Sequence, residues 1–255
     1  MRTTARTGML LVAAGIAVAL HMPAAHAAEL RQYQYKQAFI SACKIDLRSD
    51  TVRMYWKDEG GKTLGTFARL DEWLRTQKQE IVCATNAGIY DKQYQPLGLY
   101  VENGAVLRKL NTRQNAYGNF YLQPNGVFVL GDKQAFIVET SDYAADADYW
   151  LTHAHYATQS GPIMVSGGKI NPRFDPDSAN AVVRNAACID DERKVILAIA
   201  RTAISFYDFA LFLKDELKCR DALYLDGNVS RMVPTLEANI GPPFGAMIAV
   251  TRPLR

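Results

Sequence analysis

The chain has 255 residues, with 29 Lys and Arg against 26 Asp and Glu and a formal net charge of +3. That length suits one domain with a substantial core better than two small ones. No basic run occurs, nor any basic stripe interleaved with aromatics, so composition excludes nucleic acid as a partner.

The N-terminus reads as an export signal. Arg2 and Arg6 give a positive start, Met9–Leu20 is an apolar stretch, and Ala25-His26-Ala27 is a small-residue cleavage site. Residues 1–27 are therefore expected to be removed, leaving residues 28–255 as one domain, near neutral once Arg2 and Arg6 are gone. No Cys follows the apolar stretch to carry a lipid anchor. No other segment approaches the ~20 apolar residues of a membrane span. The expectation is a periplasmic or secreted protein. In that oxidising setting Cys43, Cys83, Cys188 and Cys219 can form one or two disulfides. Three full pairings are open. Cys43–Cys219 with Cys83–Cys188 is favoured, since Cys83 and Cys188 each lie in a strand-like segment beside a polar motif.

In chain order, Gln37–Leu47 and Thr51–Lys57 alternate around Arg48-Ser49-Asp50 and predict a hairpin. Ala68–Gln79 carries Leu70, Trp73 and Leu74 at helical spacing. Ile81–Ala84 is a strand running into Thr85-Asn86-Ala87-Gly88. Leu97–Val101 and Ala105–Leu110 pair across Asn103-Gly104. Asn119–Gln123, Val127–Leu130 and Gln134–Glu139 form a meander, and Asp142–Leu151 a short helix. His153 and His155 are two apart and could share a strand face toward a metal, but no third ligand lies near. Ile163–Val165 and Lys169-Ile170 form a hairpin, as do Ala186–Ile189 and Val195–Ala200. Ser205–Leu217 is a helix capped by Ser205, with Phe209, Leu213 and Leu217 on one face. Ala222–Leu225 and Ala246–Thr251 are the last strands. Many short strands with few helices predict an α+β domain of mixed or mostly antiparallel sheets.

Four segments share a grammar: an apolar strand that ends in small and polar residues. They are Thr85-Asn86-Ala87-Gly88, Gln159-Ser160-Gly161-Pro162, Arg184-Asn185-Ala186-Ala187 and Asp226-Gly227-Asn228. Each Gly or Ala lets a ligand approach the backbone, and each neighbour offers an amide, hydroxyl, guanidinium or carboxylate. The inventory suits a sugar that carries an anionic group. Amides and hydroxyls read hydroxyls, Arg184 forks onto phosphate or carboxylate, and Asp226 does the chemistry. Each segment alone also reads as an ordinary turn, loop or salt bridge.

Taken together, T-N-A-G-I-Y, G-L-Y-V-E-N-G, G-N-F-Y-L-Q-P-N-G-V-F, Q-S-G-P-I-M-V, R-N-A-A and L-Y-L-D-G-N-V-S resemble the phosphodiester glycosidase family, from about Cys43 to Val250. Asn86 and Gly88 keep the family's N-G-G-Y-F pattern, with Ala87 between them. Ser160-Gly161-Pro162 matches its S-G-P. Arg184 matches its R-T-A, with Asn185 for Thr. Leu225-Asp226-Gly227 matches its L-D-G-G-G-S-S-T, with Asn228 and Val229 for two glycines, Ser230 kept and Arg231 for the second Ser. These departures fall in the loop that should touch substrate, so the family's N-acetylglucosamine phosphodiester is not carried over unchanged.

The chemistry stands independently. Ordinary glycosidases use two carboxyl groups, one to protonate a poor leaving group. A phosphodiester at the anomeric carbon leaves as a phosphate monoester, a weak base that needs little acid help. One carboxylate, one cation and neutral donors then suffice. Asp226 is the expected nucleophile or base for water, and Arg184 the phosphate holder. Asn86, Gly88, Gln159, Ser160, Gly161, Asn185, Gly227, Asn228 and Ser230 are the expected substrate contacts. No cofactor is required, though Asp226, Asn228 and Asn86 offer oxygen ligands for Ca²⁺ or Mg²⁺. The substrate is a glycan or small molecule, and nothing calls for an obligate protein partner. Two alternatives stay open. One is an envelope glycan-binding module without catalysis. The other is an ordinary glycosidase, with Asp91 or Glu102 as the second carboxylate.

Overall fold

The computed structural model describes residues 28–254, so the expected export signal lies outside the described residues. β1 (Glu29–Tyr35) and β2 (Ala38–Ile45) pair, β3 (Thr51–Tyr55) follows, and α1 (Phe67–Thr76) leads into β4 (Gln79–Asn86). β5 (Tyr100–Glu102) and β6 (Ala105–Arg108) form the expected hairpin, in which Asn103 and Gly104 take φ of 50° and 77°. Positive φ at both central residues is what a tight hairpin turn needs, and Asn-Gly supplies it at low cost. β7 (Gly126–Leu130) pairs with β8 (Ala135–Glu139), then come α2 (Thr140–Ala145), α3 (Ala147–His153) and β9 (Tyr156–Ser160). β10 (Ile163–Ser166) with β11 (Lys169–Ile170), and β12 (Val182–Asp190) with β13 (Val195–Ile204), are hairpins as expected. α4 (Phe206–Asp215), β14 (Cys219–Asp226), β15 (Met232–Val233) and β16 (Met247–Pro253) complete the chain.

The strands build three antiparallel sheets. Their orders are β1-β2-β13-β12-β14-β10-β11, β15-β4-β16-β3 and β6-β5-β9-β7-β8. The α+β class and the mostly antiparallel pairing agree with the sequence. All three sheets turn one face to a shared core, in which Ile45, Met54, Cys83, Tyr100, Phe128, Leu197, Leu225 and Ile248 are buried. Helices cover the outer faces. α4 packs Phe209, Phe212 and Leu213 on the seven-stranded sheet, and α1 packs Phe67, Leu70 and Leu74 on the four-stranded one. Ser205 caps α4 by accepting the Asp208 N–H at 3.0 Å, and Thr66 caps α1 by accepting that of Arg69. Each cap contributes about 1 kcal/mol by satisfying an N–H that the helix leaves unpaired.

Four expectations are corrected. The segments before and after Arg48-Ser49-Asp50 do not pair with each other. β2 is taken by β1 and β13, and β3 crosses to the second sheet to pair with β16. Asp50 makes the sharp exit by accepting the N–H groups of Ala28 and Asp46. Asn119–Tyr121 is a 3-10 turn, not a meander strand. The expected helix over Asp142–Leu151 is two helices that meet at Asp146. The disulfides are Cys43–Cys83 and Cys188–Cys219. The physical reason is the alternation of faces along a strand. Cys43 and Cys83 point into the shared core, whereas Cys188 and Cys219 point to the α4 side, so the favoured pairing would have had to pass through a sheet.

Candidate active site

Three strands from two sheets converge on one carboxylate. β14 ends at Asp226, β4 ends at Asn86, and β12 sets Asn185 opposite Asp226. Asn185 is fully buried and spends its whole carboxamide here. Its Oδ1 accepts the Asp226 backbone N–H at 2.6 Å. Its Nδ2 reaches Thr85 Oγ1 at 2.9 Å and both oxygens of Asn86 at 3.1 Å. Asn86, also fully buried, donates from Nδ2 to Asp226 Oδ2 at 3.3 Å and to Ser230 Oγ at 3.4 Å. The Arg231 N–H returns to Asn86 Oδ1 at 3.3 Å, and Thr85 Oγ1 donates to Arg231 O at 3.0 Å. Amide side chains in such a network have fixed orientations, because reversing one would set donor against donor.

Asp226 lies at the rim of this network and is partly exposed. Oδ1 accepts the Gly227 N–H at 2.7 Å. Burial pushes its pKa up from 3.8 to about 7, against the pull of the bonds from Gly227 and Asn86. Among the described residues no cation contacts it, so desolvation wins. A carboxyl poised near neutrality can exchange protons or act as a carboxylate at ordinary pH.

The other expected residues fall into distinct places. Ser160 is buried and donates to Leu225 O at 2.8 Å, tying the end of β9 to the strand just before Asp226. Ser230 is buried beside Asn86, and Asn228 is exposed on the turn. A Cβ on Gly227 would sit 2.7 Å from Tyr224 Oη, so this glycine is required by the phenol beneath it. Gly88 has φ +139° with Thr158 Oγ1 3.1 Å from a built Cβ, and Gly161 is pressed against Asn125 and Phe120. Gln159 is spent internally. Its Oε1 accepts Leu99 N and Asn111 N, and its Nε2 donates to Asn111 O and Thr140 Oγ1, which leaves no group for a ligand.

Arg184 is not beside the carboxylate. Successive side chains on a strand face opposite ways, so Arg184 lies on the α4 side while Asn185 meets Asp226. It is buried, donates to Ile204 O at 2.8 Å and Asn180 O at 2.9 Å, and stacks 3.6 Å over the Phe206 ring. Burial lowers its pKa, and no carboxylate pairs with it. The Tyr224 phenol joins the two regions, since it feels both Arg184 and Asp226.

Thr85, Tyr224 and Asn119 belong to the site region but were not singled out from the sequence. Asn119 Nδ2 donates to Tyr224 Oη at 3.4 Å. The signal available for Tyr224 was its position two residues before Asp226, since residues two apart on a strand share a face. Neither proposed second carboxylate reaches Asp226. Asp91 caps its own loop by accepting Gln93 N and Gln95 N, and Glu102 accepts the Tyr100 hydroxyl on the third sheet. Among the described residues no group of three or more His, Cys, Asp and Glu is arranged to hold a metal. Asn86 turns its nitrogen toward Asp226, which does not suit a shared cation. His153 closes α3, where its ring stacks on Tyr149.

The sequence profile of the phosphodiester glycosidase family matches residues 79–253, a span that includes Asn86, Asn185 and Asp226. The chain belongs to the phosphodiester glycosidase family. An Escherichia coli K12 relative, described as uncharacterized protein YigE, is 36% identical over 218 residues, which cover 84% of this chain and 82% of that one. The fold is similar to the catalytic domain of zebrafish N-acetylglucosamine-1-phosphodiester alpha-N-acetylglucosaminidase, auto-inhibited by its pro-peptide. The TM-score is 0.58 at 15% identity, with 88% of this chain and 81% of that chain covered. A hypothetical protein from Synechocystis is similar with a TM-score of 0.52 at 14% identity, covering 88% of this chain and 61% of that chain.

Proposed function

We propose that the protein is an exported glycosidase that hydrolyses a sugar-1-phosphodiester, or a related cell-envelope glycan, and releases a phosphate-type leaving group. The observation that carries this reading is the single carboxylate, Asp226, with a pKa raised to about 7 by burial and with no other carboxylate among the described residues acting on it. A lone carboxyl cannot serve as both acid and base for an alkoxide leaving group. It can serve a leaving group that departs as a phosphate. Family membership supports the same reaction class. The two disulfides fit an oxidising compartment, and no helix among the described residues is long and apolar enough to cross a membrane.

Asp226 in its carboxylate form attacks the anomeric carbon or takes a proton from the attacking water. Asn86 Nδ2 holds Oδ2, and the Gly227 N–H holds Oδ1. Ser230 and Asn228 line the turn that follows and meet sugar hydroxyls. Arg184 stabilises the departing phosphate. The guanidinium lies behind the Tyr224 phenol, which feels both Arg184 and Asp226, so its charge acts through that phenol and not by contact.

The test is hydrolysis of a panel of α-glycosyl-1-phosphodiesters and matching p-nitrophenyl glycosides by wild type and Asp226→Asn. Cleavage of a phosphodiester that the variant abolishes, with its circular dichroism unchanged, is the expected result. Glycan binding that depends on Asp226 without turnover would instead mark a binding module. Turnover of only the p-nitrophenyl glycosides would mark an ordinary glycosidase.

A further inference from the structure

Arg231 is a second buried arginine, tied by its backbone to the Asn86 network on the flank away from α4. It is 8% exposed. Its backbone is built into the Asn86 network through its N–H and carbonyl. Its guanidinium lies 4.7 Å over the Phe244 ring and is held only by backbone carbonyls, those of Ile240 and Pro242. Nε is buried with no partner at all. No ion pair to Arg231 occurs among the described residues. Burial lowers its pKa, and the contact that opposes this is Tyr90. The Tyr90 phenol in turn feels both Asp226 and Arg231.

The two flanks therefore match. On the α4 side a buried arginine stacks on Phe206 beside Tyr224, and on the α1 side another stacks on Phe244 beside Tyr90. Each tyrosine lies within electrostatic reach of Asp226. A buried guanidinium with no counter-charge and a spare N–H is costly to keep unless an anion visits it. Loop geometry alone does not call for it. A carbonyl staple for residues 240–242 would be served by a neutral donor.

We propose that Arg231 is an anion subsite, and that the substrate carries an anionic group besides the anomeric phosphodiester. This rests on the phosphodiester reading. The phosphodiester lies beside Asp226 against the Tyr224 phenol that Arg184 backs, and Arg231 takes a carboxylate on the sugar or a further phosphate. The incoming oxyanion replaces one of the two loop carbonyls on the guanidinium and engages Nε. Gly241 permits this close cover, since a Cβ there would lie 2.7 Å from Arg231 Nη1.

The experiment is calorimetric binding of three probes: α-glucose 1-phosphate, α-glucose 1,6-bisphosphate and α-glucuronic acid 1-phosphate. Wild type is compared with Arg231→Gln, Arg231→Lys and Arg184→Gln, each checked by thermal unfolding. At least one doubly anionic probe should bind wild type about tenfold tighter than glucose 1-phosphate, as a charge-assisted fork would give. Arg231→Gln should erase that gain while leaving glucose 1-phosphate within about twofold, and Arg231→Lys should keep part of it. Arg184→Gln should weaken all three probes. Which doubly anionic probe gains tells a carboxylate from a second phosphate. Equal binding of all three probes to wild type overturns the subsite and leaves the phosphodiester reading standing. So does an Arg231→Gln variant that melts earlier but keeps the affinity ratio, which would make Arg231 a loop tether. Failure of every probe to bind overturns the subsite, while the phosphodiester reading stands or falls by the hydrolysis panel above.

Discussion

Asn185 Oδ1 accepts the backbone N–H of Asp226 at 2.6 Å, and the same carboxamide bonds Thr85 and Asn86 through Nδ2. One side chain thus fixes the end of β14 against the end of β4. Asn185→Ala would leave the part-buried Asp226 N–H without its partner. The expected loss is about 3 kcal/mol of stability, within the range for orphaned buried polar groups. Hydrolysis should fall further than the folded fraction does. Urea unfolding together with kcat per folded molecule checks both.

The pH profile follows from Asp226. Its pKa is raised to about 7 by burial, and the proposed chemistry needs the carboxylate. kcat/KM should climb with pH and level off above about 7. A profile that is flat from about pH 5 to 9 would speak against Asp226 as nucleophile or base.

The same shift bears on stability, with a definite sign. The folded protein holds the Asp226 proton from 3.8 up to about 7, where the unfolded chain has released it. Stability from this group is therefore complete below 3.8 and is lost as pH rises through about 7. Asp226→Asn removes that loss. It should stabilise the protein at about pH 8 relative to pH 4, by at most about 4 kcal/mol. Melting temperatures of both proteins across that range test it.

The disulfide pairing is checked by peptide mapping under non-reducing conditions, which should return Cys43 with Cys83 and Cys188 with Cys219. The loops they close span 40 and 31 residues. Replacing either pair by Ser should cost about 2–4 kcal/mol in denaturant unfolding.

Gly227→Ala puts a methyl 2.7 Å from Tyr224 Oη. The phenol must then leave its place beneath the turn, which displaces Asp226 and breaks the link toward Arg184. Activity should fall by about tenfold or more, with a stability loss of about 1–3 kcal/mol, as for other overpacked sites. Gly104→Ala is the control, because nothing lies within 4 Å of a Cβ there although φ is +77°. Its cost should be confined to turn strain, seen in unfolding and not in kcat.

Much of this was legible in the sequence. Asn103-Gly104, the Ser205 cap and the hairpin of β12 with β13 are local signals, and local chemistry dictates them. Asp226, Asn86 and Asn185 were legible as strand ends with polar tips, and the fold brings these three together. What escaped was facing. Whether Arg184 meets Asp226 depends on which side of β12 it occupies, and the pairing of Asn185 with Asp226 turns it away. Gln159 carries the same signature as a ligand-binding amide, yet it bonds Leu99, Asn111 and Thr140, contacts set by a distant loop. The cysteine pairing failed for the same reason, because a face of a sheet is a tertiary fact. β3 escaped too, since its partner, β16, lies at the far end of the chain.

The Cys43–Cys83 bond ties together the two halves of the candidate site. Cys43 rides on β2, in the same sheet as Asp226, and Cys83 rides on β4, the strand that ends at Asn86. The carboxylate and the amide that orients it thus belong to two separate layers, which this bond straps together covalently. A chain still in a reducing environment has that alignment only through hydrogen bonds. Closing this one bond therefore sets the register between the two layers by covalent chemistry as well as by hydrogen bonding.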